Sequence, residues 1–188
     1  MEVPESRVNK PVSPSKRPSS PARVRSFKKR LAAVSLVVFD FDGVMTDNRV
    51  LTLQDGTEGV FCDRSDGLGV GMLKKAGVPM LVLSKEPNPV VAARCRKLQL
   101  ECEQGIDDKV ARLDQILRER GLAWTGVAYV GNDVNDVPCM SRAGLAIAVA
   151  DAYPPALGVA KLVTTRPGGK GAVREVCDWL LAAGAGQR

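Results

Sequence analysis

Histidine is missing altogether from this chain, and its absence excludes the imidazole-based triads and dyads and the His-Glu-x-x-His route to zinc hydrolysis. Cysteine is scarce and irregular. The five residues (Cys62, Cys95, Cys102, Cys139 and Cys177) form an odd set with no C-x-x-C spacing. That argues against a disulfide framework or a thiolate zinc site and suits reduced thiols in a cytoplasmic protein. Aromatic residues make up only 4%, so the core has to be packed from aliphatic side chains. No apolar run approaches the roughly twenty residues that a membrane-crossing helix needs, and no membrane partner is expected. Any catalysis must therefore run on carboxylates, hydroxyls, lysines or a hard metal ion.

A hydrophobic content of 45% over 188 residues allows one domain with a proper core. The net charge of +6 is unevenly spread. Residues 1–30 hold nine Lys/Arg against two Glu, a net of +7, which leaves −1 for the remainder. The same segment, "MEVPESRVNKPVSPSKRPSSPARVRSFKKR", contains five of the twelve prolines. It reads as a disordered basic tail at 1–30 ahead of a folded domain at 31–188. A solvated extension is the plainer reading of that charge and a weak anionic tether the second; with the body near neutral, no nucleic-acid partner is expected. Lys28-Lys29-Arg30 before "LAAVSLVVF" imitates a signal peptide but begins late and runs into "DFDG" without a small-residue cleavage site. The prolines equally oppose an amphipathic presequence helix.

Along the rest of the chain, apolar runs alternate with helical patterns. Val34–Phe39, "VPMLVLS" (78–84), "GVAYVG" (126–131) and "GLAIAVA" (144–150) have the continuous aliphatic character of strands buried on both faces. Helices are expected over Gly67–Ala76, over Pro89–Leu98, from a cap at Asp107 or Asp108 to Arg120, briefly after Asp136, and near Gly171–Ala183. "RVLTLQDGTEGVFC" (49–62) reads as a hairpin about Asp55-Gly56. The sum is an α/β, Rossmann-like parallel sheet with helices on both faces.

Ligands of such sheets bind beyond the carboxyl ends of the strands, and there the polar residues gather. Strand one runs into Asp40-Phe41-Asp42-Gly43, the second buried strand into Ser84, and a later one into Gly131-Asn132-Asp133, while Lys109 opens a helix. Singly, each has a plain explanation as a turn, a cap or a solvated residue. Jointly, two carboxylates two residues apart at a strand end, with a hydroxyl and an ammonium, fit phosphoryl transfer. Asp40 attacks phosphorus, and Asp42, on the same face, protonates the leaving oxygen. Two aspartates facing a phosphate dianion require a cation, and oxygen donors specify a hard one such as Mg2+.

"FDFDGVMTD", Ser84, Lys109 and "GNDVND" together resemble the signatures of the haloacid dehalogenase superfamily over roughly residues 34–183. The hairpin, "DRSDGLGV", "VAYVGNDVNDVPCM" and "GGKGAVREVCDWL" resemble more narrowly the 3-deoxy-octulosonate 8-phosphate phosphatases, and equally the phosphatase-like domain of acylneuraminate cytidylyltransferases. The resemblance implies a haloacid dehalogenase fold with a β-hairpin and no cap domain. It also implies a Mg2+-dependent phosphatase acting on an eight- or nine-carbon 2-keto-3-deoxy sugar-acid phosphate, with the nine-carbon acids favoured because "DRSDGLGV" and "GND" resemble the cytidylyltransferase-linked domains more closely. Asp40 would be the nucleophile, Asp42 the general acid/base, and Ser84 and Lys109 the grip on the phosphoryl oxygens. The metal would be held by Asp40, the Asp42 carbonyl, Asn132 and Asp133, with Asn132 standing where most relatives carry an aspartate. Gly43, Arg64, Lys85, Asp136, Lys170 and Arg174 are the candidates for substrate contact, some of them from a neighbouring subunit. Lys85-Glu86 replaces a Gly-Arg pair common in relatives. A hairpin-built homotetramer is implied, and a cytidylyltransferase is a further partner of interest. Two rivals remain at this level. A phosphorylation-switched receiver domain wants its acceptor aspartate on the strand that here ends in Ser84. A catalytically silent assembly or regulatory domain of a cytidylyltransferase would have no need of Asp40, Asp42, Ser84 and Lys109.

Overall fold

The computed structural model of the protein describes residues 21–186. In chain order the elements are α1 (Pro21–Ser26), α2 (Lys28–Ala32), β1 (Leu36–Phe39), β2 (Thr46–Thr52), β3 (Glu58–Cys62), α3 (Arg64–Lys75), β4 (Met80–Leu83) and α4 (Val90–Leu98). They continue with β5 (Glu101–Glu103), α5 (Lys109–Glu119), β6 (Val127–Gly131), α6 (Val137–Arg142), β7 (Leu145–Ala148), α7 (Pro154–Val159), β8 (Leu162–Val163) and α8 (Ala172–Ala183).

The four aliphatic runs become β1, β4, β6 and β7, and every residue in them is buried, as strands covered on both faces must be. They form the middle of a six-stranded sheet of order β5-β4-β1-β6-β7-β8, parallel throughout. After β1 the chain builds outward through β4 to β5, then returns to lay β6 on the other side of β1. The reversal opens a crevice at the carboxyl end of β1, where Asp40 begins. The edge strands β5 and β8 were not legible in the sequence. "ECE" alternates charge with a single thiol, and "LV" is two residues long, so both exist because a neighbouring strand supplies hydrogen bonds to them.

Local chemistry sets the helix starts. Asp63 accepts from the Ser65 amide at 2.7 Å, so α3 begins three residues before the predicted Gly67. Of the two candidate caps for α5, Asp108 is the one used, accepting from the Ala111 amide at 2.9 Å. The hairpin is β2 against β3, antiparallel about Gly56 at φ +82°, with a register irregularity between Thr46 and Val50. Beyond this hairpin, no inserted unit stands over the sheet edge among the described residues.

The tail departs from expectation in part. Residues 1–20 lie outside the described residues, but 21–30 are helical rather than disordered. Val24, Phe27 and Leu31 follow the i, i+3, i+7 spacing of one helical stripe. Leu31 is fully buried, and Val24 and Phe27 pack half-buried against the core. A proline- and serine-rich composition masks these three apolar anchors when the segment is averaged. No helix among the described residues is long and apolar enough to cross a membrane.

Candidate active site

Three strand ends and one helix start converge. Asp40 follows β1 and donates its amide to Val130 O of β6 at 2.9 Å, which fixes it at the crevice. Ser84 follows β4, with its amide on Glu103 O at 2.8 Å and its Oγ accepting from the Glu86 amide at 3.1 Å. Asn132 and Asp133 follow β6, and Lys109 is the first residue of α5. A cleft of about 220 Å³ is lined by Asp40, Asp42, Asn48, Ser84, Lys85, Glu86, Asn132, Asp133 and Asn135. Of the predicted residues, it therefore gathers Asp40, Asp42, Ser84, Lys85, Asn132 and Asp133, with Lys109 buried behind Asp40.

Lys109 is buried, and its Nζ lies 2.7 Å from Asp40 Oδ1 and 2.8 Å from Asp136 Oδ1. Burial alone would lower the ammonium's pKa, but the two carboxylates outweigh it and hold the group above its ordinary value. Asp40 is pushed up to about 7, first by burial and then by the charge of Asp136, against the pull of Lys109. Burial, aided by Glu86 and opposed by Lys109, also raises Asp42.

Asp136 corrects an expectation. It was a candidate for substrate contact, but it is fully buried and takes four donors: Lys109 Nζ and Tyr129 OH (2.9 Å) on Oδ1, and the Asn132 (2.9 Å) and Asp133 (3.5 Å) amides on Oδ2. Its work is to hold Lys109 and to shape the turn after β6. Gly43, Arg64, Lys170 and Arg174 also lie outside the cleft lining of this chain. Gly43 is buried at φ +76°, and a Cβ there would meet Asn132 Nδ2 at 2.0 Å, so its role is to let that amide approach the loop after Asp42. Arg64 is exposed on the first turn of α3. Lys170 is close enough to Asp47 for its charge to help lower that carboxyl. The Arg174 side chain is tied to Asp178 at 2.9 Å. Sequence reading missed Tyr129, Glu86, Asn48 and Asn135. A tyrosine inside a buried strand and single polar residues in loops carry no periodic signal.

The oxygen donors suit a hard cation. Asp40, Asp42, Asn132 and Asp133 all line the cleft, and the buried Asn132 Oδ1 has no hydrogen-bond partner among the described residues, an acceptor left without a donor. No group of three Cys, Asp or Glu side chains forms a cage among the described residues, so Asn132 and a backbone oxygen would have to complete the set.

A six-stranded parallel sheet with Asp-x-Asp at its central carboxyl edge, an unroofed polar cleft and a buried lysine defines a class, and sequence comparison identifies the same one. The profile of the haloacid dehalogenase-like hydrolases matches residues 97–175. The 3-deoxy-D-manno-octulosonate 8-phosphate phosphatase of Escherichia coli K12 is 35% identical over 151 residues, covering 80% of each chain. A crystal structure of the Moraxella catarrhalis enzyme of that name, in complex with magnesium ion, phosphate ion and KDO, superposes with a TM-score of 0.82. Its sequence identity is 30%, over 85% of this chain and 92% of that one. A structure from Streptomyces avermitilis described as an HAD family hydrolase gives a TM-score of 0.78 at 52% identity, covering 79% and 86%. The chain belongs to the haloacid dehalogenase-like hydrolases. Within them its place is in the phosphatase branch that contains the octulosonate 8-phosphate phosphatases.

Proposed function

We propose that the chain is a Mg2+-dependent phosphatase that hydrolyses a phosphorylated 2-keto-3-deoxy sugar acid, either an octulosonate 8-phosphate or a nonulosonate 9-phosphate. The observation that carries the reading is the pairing of Asp40 and Asp42 in one polar cleft, with a buried ammonium 2.7 Å behind Asp40. The Escherichia coli and Moraxella catarrhalis relatives are named as phosphatases of the eight-carbon ester, which supports the substrate class.

In this mechanism the phosphoryl group enters the cleft between Asp40 and Ser84. Asp40 attacks phosphorus, the bond to the sugar oxygen breaks, and that oxygen takes the Asp42 proton. Asp42, now a carboxylate, removes a proton from the water that attacks the aspartyl phosphate, releasing inorganic phosphate and restoring both residues. Ser84 Oγ and Lys109 Nζ hold phosphoryl oxygens, and Asp136 keeps the ammonium in place. Mg2+, held by Asp40, Asn132, Asp133 and the Asp42 carbonyl, would neutralise charge shared by the carboxylates and the phosphate. The sugar carboxylate needs a cation of its own, worth about 1.5–3 kcal/mol in a charge-assisted bond. Lys85 is the candidate within this cleft, and Arg64, Lys170 and Arg174 are candidates for reaching the site of a neighbouring copy.

The hairpin supports such neighbours. Val50, Leu51, Leu53 and Phe61 are each at least half exposed, an apolar surface suited to the homotetramer included in this reading. The test is turnover of both sugar-acid phosphates with and without Mg2+. Asp40→Asn should abolish hydrolysis, while Asp42→Asn should retain part of it on esters with good leaving groups. Full activity in EDTA, or in Asp40→Asn, overturns the mechanism.

A further inference from the structure

Asn48 combines a left-handed backbone with a place in the lining of the cleft. It has φ +62°, one of two non-glycine residues with positive φ among those described, and it sits in the irregular stretch of β2 at the base of the hairpin. Irregular pairing of this kind re-aims a side chain beside a site. Asparagine is one of the few residues besides glycine that takes this conformation readily, so the turn can be made here while still presenting a polar side chain. The asparagine lines the catalytic cleft.

Its position is also fixed. The buried Thr46 Oγ1 accepts from the Asn48 amide at 3.2 Å and from the Gly43 amide at 3.1 Å, tying Asn48 to the residue after Asp42. The Asn48 Cγ lies 3.4 Å from where a Gly43 Cβ would stand. Its side chain therefore lines the cleft beside the loop that carries Asp42. Asn48 is exposed, so its carboxamide is open to solvent and to whatever enters the cleft.

We infer that Asn48 is a specificity-determining residue whose carboxamide hydrogen-bonds a hydroxyl of the leaving sugar, next to the ester oxygen that Asp42 protonates. The inference rests on the phosphatase reading. A carboxamide both donates and accepts, so it pairs with a hydroxyl in either sense. It would therefore favour a polyol phosphate over an ester that lacks a hydroxyl beside the phosphorylated carbon.

The experiment compares kcat/KM on 3-deoxy-octulosonate 8-phosphate, on a nonulosonate 9-phosphate and on p-nitrophenyl phosphate, which has no hydroxyl to contact. Asn48→Gly relieves the backbone and removes the carboxamide without adding charge. It should lower kcat/KM on the sugar ester that the wild type hydrolyses by about threefold to tenfold more than on the nitrophenyl ester, the effect of one neutral hydrogen bond. Unchanged sugar turnover overturns the inference, as does an equal fall on the sugar and nitrophenyl esters. If the wild-type enzyme hydrolyses none of the three, it is the phosphatase reading beneath the inference that fails.

Discussion

Replacing Lys109 with methionine tests the electrostatic centre of the site, because the side chain keeps its length and loses its charge. Asp40, Asp136 and Lys109 are all at most 3% exposed, and the ammonium is the cation that both carboxylates share. Removing one partner of a buried ion pair costs about 3–5 kcal/mol because the other charge is left uncompensated. Part of that returns here. Asp40, already near 7, would rise further and take up a proton at neutral pH, while Asp136 keeps Tyr129 OH and the Asn132 amide as donors. The expected loss is therefore near the low end, about 3 kcal/mol at pH 7, or a fall of roughly 6–12 °C in Tm for a domain of this size. The pH dependence follows from the direction of the shift. A carboxyl whose folded pKa is raised contributes stability below its unfolded pKa and loses it as pH rises through the folded one. The gap between wild type and Lys109→Met should therefore widen from pH 5 to pH 8 in EDTA, as read from urea midpoints. Turnover should fall about 100-fold or more, as it does when a donor to transition-state charge is lost. A gap below about 1 kcal/mol that does not change with pH would refute the assignment of Lys109 as the compensating charge.

Two further predictions concern parts of the molecule away from the cleft. Asp66 is buried, accepts from the Arg174 amide at 2.8 Å at the start of α8, and is pushed up to about 6, chiefly by burial. Its contribution to stability should thus be lost as pH rises from about 4 through 6, to a limit of about 3 kcal/mol. Asp66→Asn keeps the acceptor and should gain on wild type over that window; parallel urea midpoints across it would show that the carboxyl does not titrate as stated. Phe27→Ala should cost about 1–2 kcal/mol, less than a fully buried phenylalanine would, because Phe27 packs half-buried against the core. An unchanged Tm would mean that the helices at 21–32 are not docked.

The sequence by itself determined the four central strands of the sheet and the cleft residues at their ends. A strand covered on both faces has to be a continuous aliphatic run, so β1, β4, β6 and β7 were legible, and with them the strand ends that carry Asp40, Asp42, Ser84, Asn132 and Asp133. Asp-x-Asp is readable because it is local: two side chains two residues apart share a face whatever surrounds them. What tertiary structure decided depends on partners distant in the chain. Lys109 reaches Asp40 across 69 positions, and Asp136 turned inward because Tyr129, Lys109 and two amides satisfy it there. An aspartate followed by an apolar helix reads the same whether it faces substrate or is sealed beneath it. The helices at 21–32 were hidden for a related reason: three apolar residues suffice to dock a segment only when the body presents a surface for them. Asn48 required the structure as well, since only the folded turn brings that carboxamide beside Gly43 and into the lining of the cleft.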